Sequence, residues 1–247
     1  MAGHSKFKNI AHRKGAQDAK RAKLFTKLIR EILVAAKNGG EDAEFNPRLR
    51  TTLATAREAN LPKQRIDAAI KKTASSNKSN NLEEITYECY LSGGVALIIE
   101  TLTDNKNRTS SDIKSALNKY GSTLAASGAA LYLFEKVGFI EFKNENIAPE
   151  KILETATEVG GNDCDSFEDM HQIVCKPDNL QEVQNLLAKK FGNLTAVKLI
   201  WKPKTSIMID SQEQTEKILN TVTLLEDNDD VQNIYGNYVI SGHLLTN

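Results

Sequence analysis

Lys6, Lys8, His12, Arg13, Lys14, Lys20, Arg21, Lys23, Lys27 and Arg30 place ten actual or potential cations within twenty-five residues, interrupted by one acid, Asp18. Side chains of this type and density are suited to neutralising the phosphates of a polyanion and releasing its counterions. Phe7 stands between Lys6 and Lys8, where a ring can stack on a base or pack onto the helix that follows. Lys106 and Arg108 form a second basic pair, in Asp104-Asn105-Lys106-Asn107-Arg108-Thr109. That loop precedes an expected helix, whose first N–H groups favour anions. The same residues also make a turn and N-cap that need no ligand, so both readings stand.

Other reactive residue types form no comparable set. Cys164, His171 and Cys175, beside Asp163 and Asp165, match no zinc-ligand spacing, so no metal is expected. His4 and His12 read as polar contacts. No Gly-Lys-Ser/Thr phosphate loop, dinucleotide-type glycine motif, His-Glu-x-x-His or Gly-x-Ser-x-Gly occurs, and catalysis and cofactors are not expected. Gly138-Phe139-Ile140-Glu141-Phe142 has the look of an RNA-binding strand, but its acid and the 6% aromatic content favour a core strand. Trp201 alternates with Val197 and Leu199, which is core behaviour.

A net charge of zero hides an asymmetry. Residues 1–80 hold 18 Lys+Arg against 7 Asp+Glu, a net of +11, and residues 81–247 hold 14 against 25, a net of −11. The basic part suits nucleic acid, or an acidic mate in the same chain. The acidic part, densest at Glu226–Asp230, can recruit a protein or keep the body off a polyanion. Three widely spaced cysteines fit a reducing compartment. With no apolar run of eighteen residues and no secretory signal, a cytoplasmic protein without a membrane partner is expected, and as a monomer.

The elements that position these residues follow from periodicity. Residues 1–15 read as an extended arm, ordered on its target. Leu24, Phe25, Leu28, Ile29, Ile32, Leu33 and Ala36 give a helix from Gln17 one apolar face, with Lys20, Lys23, Lys27 and Arg30 opposite. Asn38-Gly39-Gly40 stops it, Asn46-Pro47 caps a second helix through Leu49, Leu53 and Ala56, and Pro62 opens a third. The last two could form a helix-turn-helix, although only Gln64 and Arg65 could read bases. Plain three-helix packing is the default, and Ser75–Asn81 is a linker.

Alternation then replaces helical spacing. Ile85–Leu91 and Val95–Thr101 form a hairpin of strands, Thr109 with Asp112 caps a helix to Tyr120, and Ala130–Glu135 reads as a strand. Residues 137–204 then run β-α-β-β-α-β, the ferredoxin-like order. Gln212–Leu225 is a helix and Val231–Val239 a strand, too little to stand alone. The expected fold class is therefore α+β: a basic arm and three-helix domain at 1–80, a discontinuous α+β domain at 82–135 and 205–247, and an inserted ferredoxin-like domain at 136–204.

The opening MAGHSKFKNIAHRKGAQDAKRAKLFTKLIREI resembles that of the YebC/PmpR family, which includes a mitochondrial translational activator of cytochrome oxidase. NPRLR (46–50), the Gly93-Gly94 hairpin, DNKNRT (104–109), LYLFEKVGFIEF (131–142) and LEDNDDVQNIYGN (225–237) extend the resemblance over essentially the whole chain. Phe7 stands where the family usually has tryptophan, and Tyr90-Leu91-Ser92 where it has a Gly/Pro-containing turn. The resemblance implies three domains, no cofactor, and a regulator of gene expression. Two versions are implied: a DNA-binding transcriptional regulator, or a ribosome-associated factor that binds ribosomal or transfer RNA and relieves stalling.

Overall fold

The computed structural model describes residues 17–74, 82–143, 147–167, 170–192 and 194–244. They fall into two compact units, one from the described residues up to Leu133 together with those from Pro203 onward, the other Phe134–Lys202. The expected arm and the linker 75–81 lie outside the described residues.

The first unit opens with three helices, α1 (Gln17–Gly39), α2 (Pro47–Glu58) and α3 (Lys63–Ala74). Leu28, Ile32, Ala35 and Ala36 of α1 pack against Leu49, Leu53 and Ala56 of α2 and Ile66 and Ala69 of α3. Asn46 holds the first corner. Its Oδ1 accepts the Leu49 N–H at 3.0 Å, and its Nδ2 donates to the carbonyls of Ala35 and Gly40, both at 2.7 Å. Gly39 makes room for it, because a Cβ there would lie 2.6 Å from the Asn46 amide.

A four-stranded antiparallel sheet follows, in the order β3-β1-β2-β9. It contains β1 (Glu83–Tyr90), β2 (Ala96–Thr103), β3 (Thr123–Leu124) and β9 (Val231–Gly236). Helices α4 (Lys106–Asn118) and α7 (Gln212–Glu226) cover it through Ile113, Leu117, Ile218, Val222 and Leu225. The C-terminal segment thus returns to the sheet begun near residue 83. Its strand is not continuous from Val231 to Val239, as alternation suggests. Asn237 breaks it, accepting the Ala96 N–H at its Oδ1 (2.7 Å) and the Ile207 N–H at its carbonyl (2.8 Å). Beyond the break, β10 (Tyr238–Ile240) pairs in parallel with β8 (Ile207–Ile209), a strand too short to show in the sequence pattern.

Two further boundaries differ from expectation. The helix α4 begins at Lys106, not Thr109, because Asn105 Oδ1 accepts the N–H groups of Asn107 (3.2 Å) and Arg108 (3.1 Å). Ala130–Glu135 is no separate strand. The buried Glu88 carboxylate accepts the N–H groups of Gly128, Ala130 and Leu131 at 2.5, 2.6 and 2.7 Å, which holds this stretch as a turn. A single strand, β4 (Phe134–Lys143), starts after it.

The second unit has the sheet order β5-β6-β4-β7 and the succession β-α-β-β-α-β, the ferredoxin-like arrangement. Its remaining elements are α5 (Pro149–Glu158), β5 (Gly161–Ser166), β6 (Met170–Cys175), α6 (Leu180–Phe191) and β7 (Ala196–Pro203). Ile140, Phe142, Ile152, Ile173 and Leu187 form its core, with Phe142 stacked on Phe191 at 5.2 Å. The segments flanking it are joined within the first unit, where Lys204 N–H donates to Leu133 O at 2.9 Å.

Candidate nucleic-acid interface

The polar side of α1 is directed at the chain's own acidic segment. With hydrophobic spacing fixing one face of the helix inward, cations three and four residues apart share another. Lys23 Nζ lies 2.6 Å from Asp227 Oδ1, and Lys27 Nζ donates to Glu226 O at 3.2 Å. Arg30 donates to the carbonyls of Leu102 (3.1 Å) and Asp229 (2.8 Å) and pairs with the Asp230 carboxylate. Burial pushes the Lys27 ammonium below its ordinary range, against the pull of Glu226 and Asp229.

Asp230 joins the two basic patches. One oxygen takes Arg30, and the other takes Arg108 Nη2 at 2.8 Å, Thr109 Oγ1 at 2.6 Å and Thr103 Oγ1 at 3.3 Å. The side chain is 4% exposed. Burial raises its pKa, but the bonds from Arg108, Thr109 and Arg30 outweigh that and hold the carboxyl below the usual range. Arg108 also pairs with Asp104 at 2.8 Å. Since Asn105 caps the first N–H groups of α4 and Asp230 receives Arg108 and Thr109, the anion-binding features of this helix start already have partners.

What remains outward is a different set. Arg21, Arg57, Lys63, Arg65, Lys71 and Lys106 are exposed. Among the described residues none of these has a carboxylate within ion-pair distance. Arg48 instead bridges Glu31 (2.7 Å) and Glu84, tying α2 to α1 and β1. Arg65, one of two possible base readers at the start of α3, has its guanidinium 5.9 Å from the Phe25 ring centroid, and Arg21 lies 5.3 Å from the same centroid. Lys6, Lys8, His12, Arg13 and Lys14 lie outside the described residues, as does the side chain of Lys20. No group of three metal-binding side chains and no helix long and apolar enough to cross a membrane occurs among the described residues.

Residues 5–76 match the model of the TACO1/YebC protein N-terminal domain, and residues 82–238 that of the TACO1/YebC second and third domain. The chain belongs to the TACO1/YebC family. It is 50% identical over 244 residues to a probable transcriptional regulatory protein of Rickettsia bellii, covering 99% of this chain and 95% of that one. A similarly named protein of Ehrlichia ruminantium is 47% identical over 247 residues, covering 98% and 99%. The crystal structure of a conserved hypothetical protein from Aquifex aeolicus superposes with a TM-score of 0.87 at 41% identity, covering 96% and 98%.

For this TACO1/YebC chain, the residue that sequence reasoning missed is Asp230. The acidic run 226–230 is visible in the sequence, but its role as the acceptor for Arg30 and Arg108 depends on pairings across 200 and 122 residues. An acidic mate in the same chain is one of the two readings of the charge asymmetry. Within the basic part, Lys23 and Arg30 pair with acids of that run, and Lys27 bonds the Glu226 carbonyl.

Proposed function

We propose that this chain is a non-enzymatic, nucleic-acid-binding regulator of gene expression that grips its target mainly by phosphate contacts from the arm and the outward cations. One observation carries the proposal: while Lys23, Lys27, Arg30 and Arg108 bond within the chain, Arg21, Lys63, Arg65 and Lys106 are exposed and, among the described residues, have no carboxylate within ion-pair distance. The names of its relatives favour transcription, hence DNA, as the setting. A second reading, structured RNA at the ribosome, draws on the position of Arg65. A guanidinium engaged with Phe25 leaves Gln64 as the remaining base reader at the start of α3, which suits shape and backbone recognition.

A salt titration of binding tests the grip. Deleting residues 1–14 should reduce the slope of log K against log salt by several units, at about 0.9 per lost phosphate contact on B-DNA. Replacing Lys23 and Lys27 by glutamine should change it by less than about one unit, because their partners are internal. A slope unmoved by the deletion overturns the arm's role. A genome-wide footprint separates the two settings: enriched duplex sites with preference of about 10³-fold or more mark a transcriptional regulator, whereas DNase-resistant co-sedimentation with ribosomes marks the RNA reading.

A further inference from the structure

We infer that Arg21, Phe25 and Arg65 form a clamp for an unpaired nucleotide, with the two guanidiniums holding its phosphate and one of them carrying its base as a stacked layer. This rests on the nucleic-acid reading above and narrows it to a substrate class. The two arginines come from different helices and converge on one half-buried ring, at 5.3 and 5.9 Å from its centroid. They are therefore within about 11 Å of each other, close enough for one anion to be attracted by both. Among the described residues neither arginine has a carboxylate within ion-pair distance.

Such a pair gains most from an anion placed between its members. A phosphate accepts from both planar forks, as guanidinium geometry allows and an ammonium does not. Arg21 and Arg65 are both exposed, so a planar guanidinium beside Phe25 offers a base a surface on which to stack. Leu24, three residues along α1 from Arg21 and 44% exposed, adds an apolar surface on the same side for a sugar or base edge. Bases in a duplex are already stacked, so the site favours single strands, loops and bulges.

The other reading is a fastening of α1 to α3 by cation–π contacts alone, and the test separates the two. The full chain is titrated with a twelve-nucleotide single strand carrying 2-aminopurine and with a blunt duplex of the same sequence. The expected result is tighter binding of the single strand, with quenching of 2-aminopurine. Arg21→Gln with Arg65→Gln should weaken both ligands through lost phosphate contacts, but single-strand binding by about tenfold more than duplex binding. Arg65→Lys should retain the salt slope but lose most of the quenching, because charge survives and the planar stack does not.

Equal loss on both ligands would reduce the cluster to general positive charge and overturn the clamp. So would an unchanged affinity, a drop in thermal stability with no change in binding, or displacement by poly-glutamate at the same charge concentration. If the unaltered chain binds neither nucleic acid, the functional reading itself fails, an outcome distinct from those four.

Discussion

Replacing Asp230 by alanine removes, in one change, the acceptor for two guanidiniums and two hydroxyls. Arg30 would keep only the carbonyls of Leu102 and Asp229 and Arg108 only Asp104, a loss of about 2 kcal/mol, so the variant should melt at a clearly lower temperature. Acid should have the same effect gradually. The Asp230 carboxyl is held below its ordinary value in the folded state, so its contribution is complete above about pH 4 and fades as pH falls through the lowered value. Glu88 adds to this loss: burial raises its pKa, but the N–H groups of Gly128, Ala130 and Leu131 more than offset that. Denaturant melts between pH 2 and 6 should therefore show a steep decline for the native chain and a shallower one for Asp230→Ala. Equal slopes would show that the carboxylate is not coupled to folding.

At the scale of elements, the corner between α1 and α2 is set by Asn46 and the space beside Gly39. Asn46→Ala removes a helix cap and leaves the Ala35 carbonyl without its amide donor, which should cost about 2 kcal/mol by chemical denaturation. A cost near zero would mean that the corner is held by the apolar contacts alone. Asn46-Pro47 and Asn38-Gly39-Gly40 announce this corner in the sequence, because capping and helix stopping are local events. The apolar face of α1 is equally plain, with Leu28, Ile32 and Ala36 buried as their spacing requires. The destination of its basic face is not, since nothing near Lys23 or Arg30 records that Asp227 and Asp230 will meet them. The same limit applies to Arg21 and Arg65, whose convergence on Phe25 depends on how α1 packs against α3. Local competition misleads at Thr109, which resembles a cap but lies behind Asn105, and at Ala130–Glu135, which Glu88 holds as a turn.

For the whole molecule, the bond from Lys204 N–H to Leu133 O brings the two ends of the Phe134–Lys202 unit together. Replacing that unit by a short Gly-Ser linker should leave the remainder folding cooperatively, with the salt dependence of nucleic-acid binding within about one unit of the parent. Loss of cooperative unfolding would show that the unit supports the rest. The insertion also has a price in time. The apolar strand β2 hydrogen-bonds on one side to β1, only a short hairpin away, but on the other to β9, with Leu97 opposite Gly236 and Thr101 opposite Val231. During synthesis, at roughly 5–20 residues per second, that second edge waits about 6 to 26 seconds for its partner. A nascent or truncated chain therefore carries an open, β-branched edge throughout the translation of the inserted unit, which makes premature termination before residue 231 an aggregation hazard.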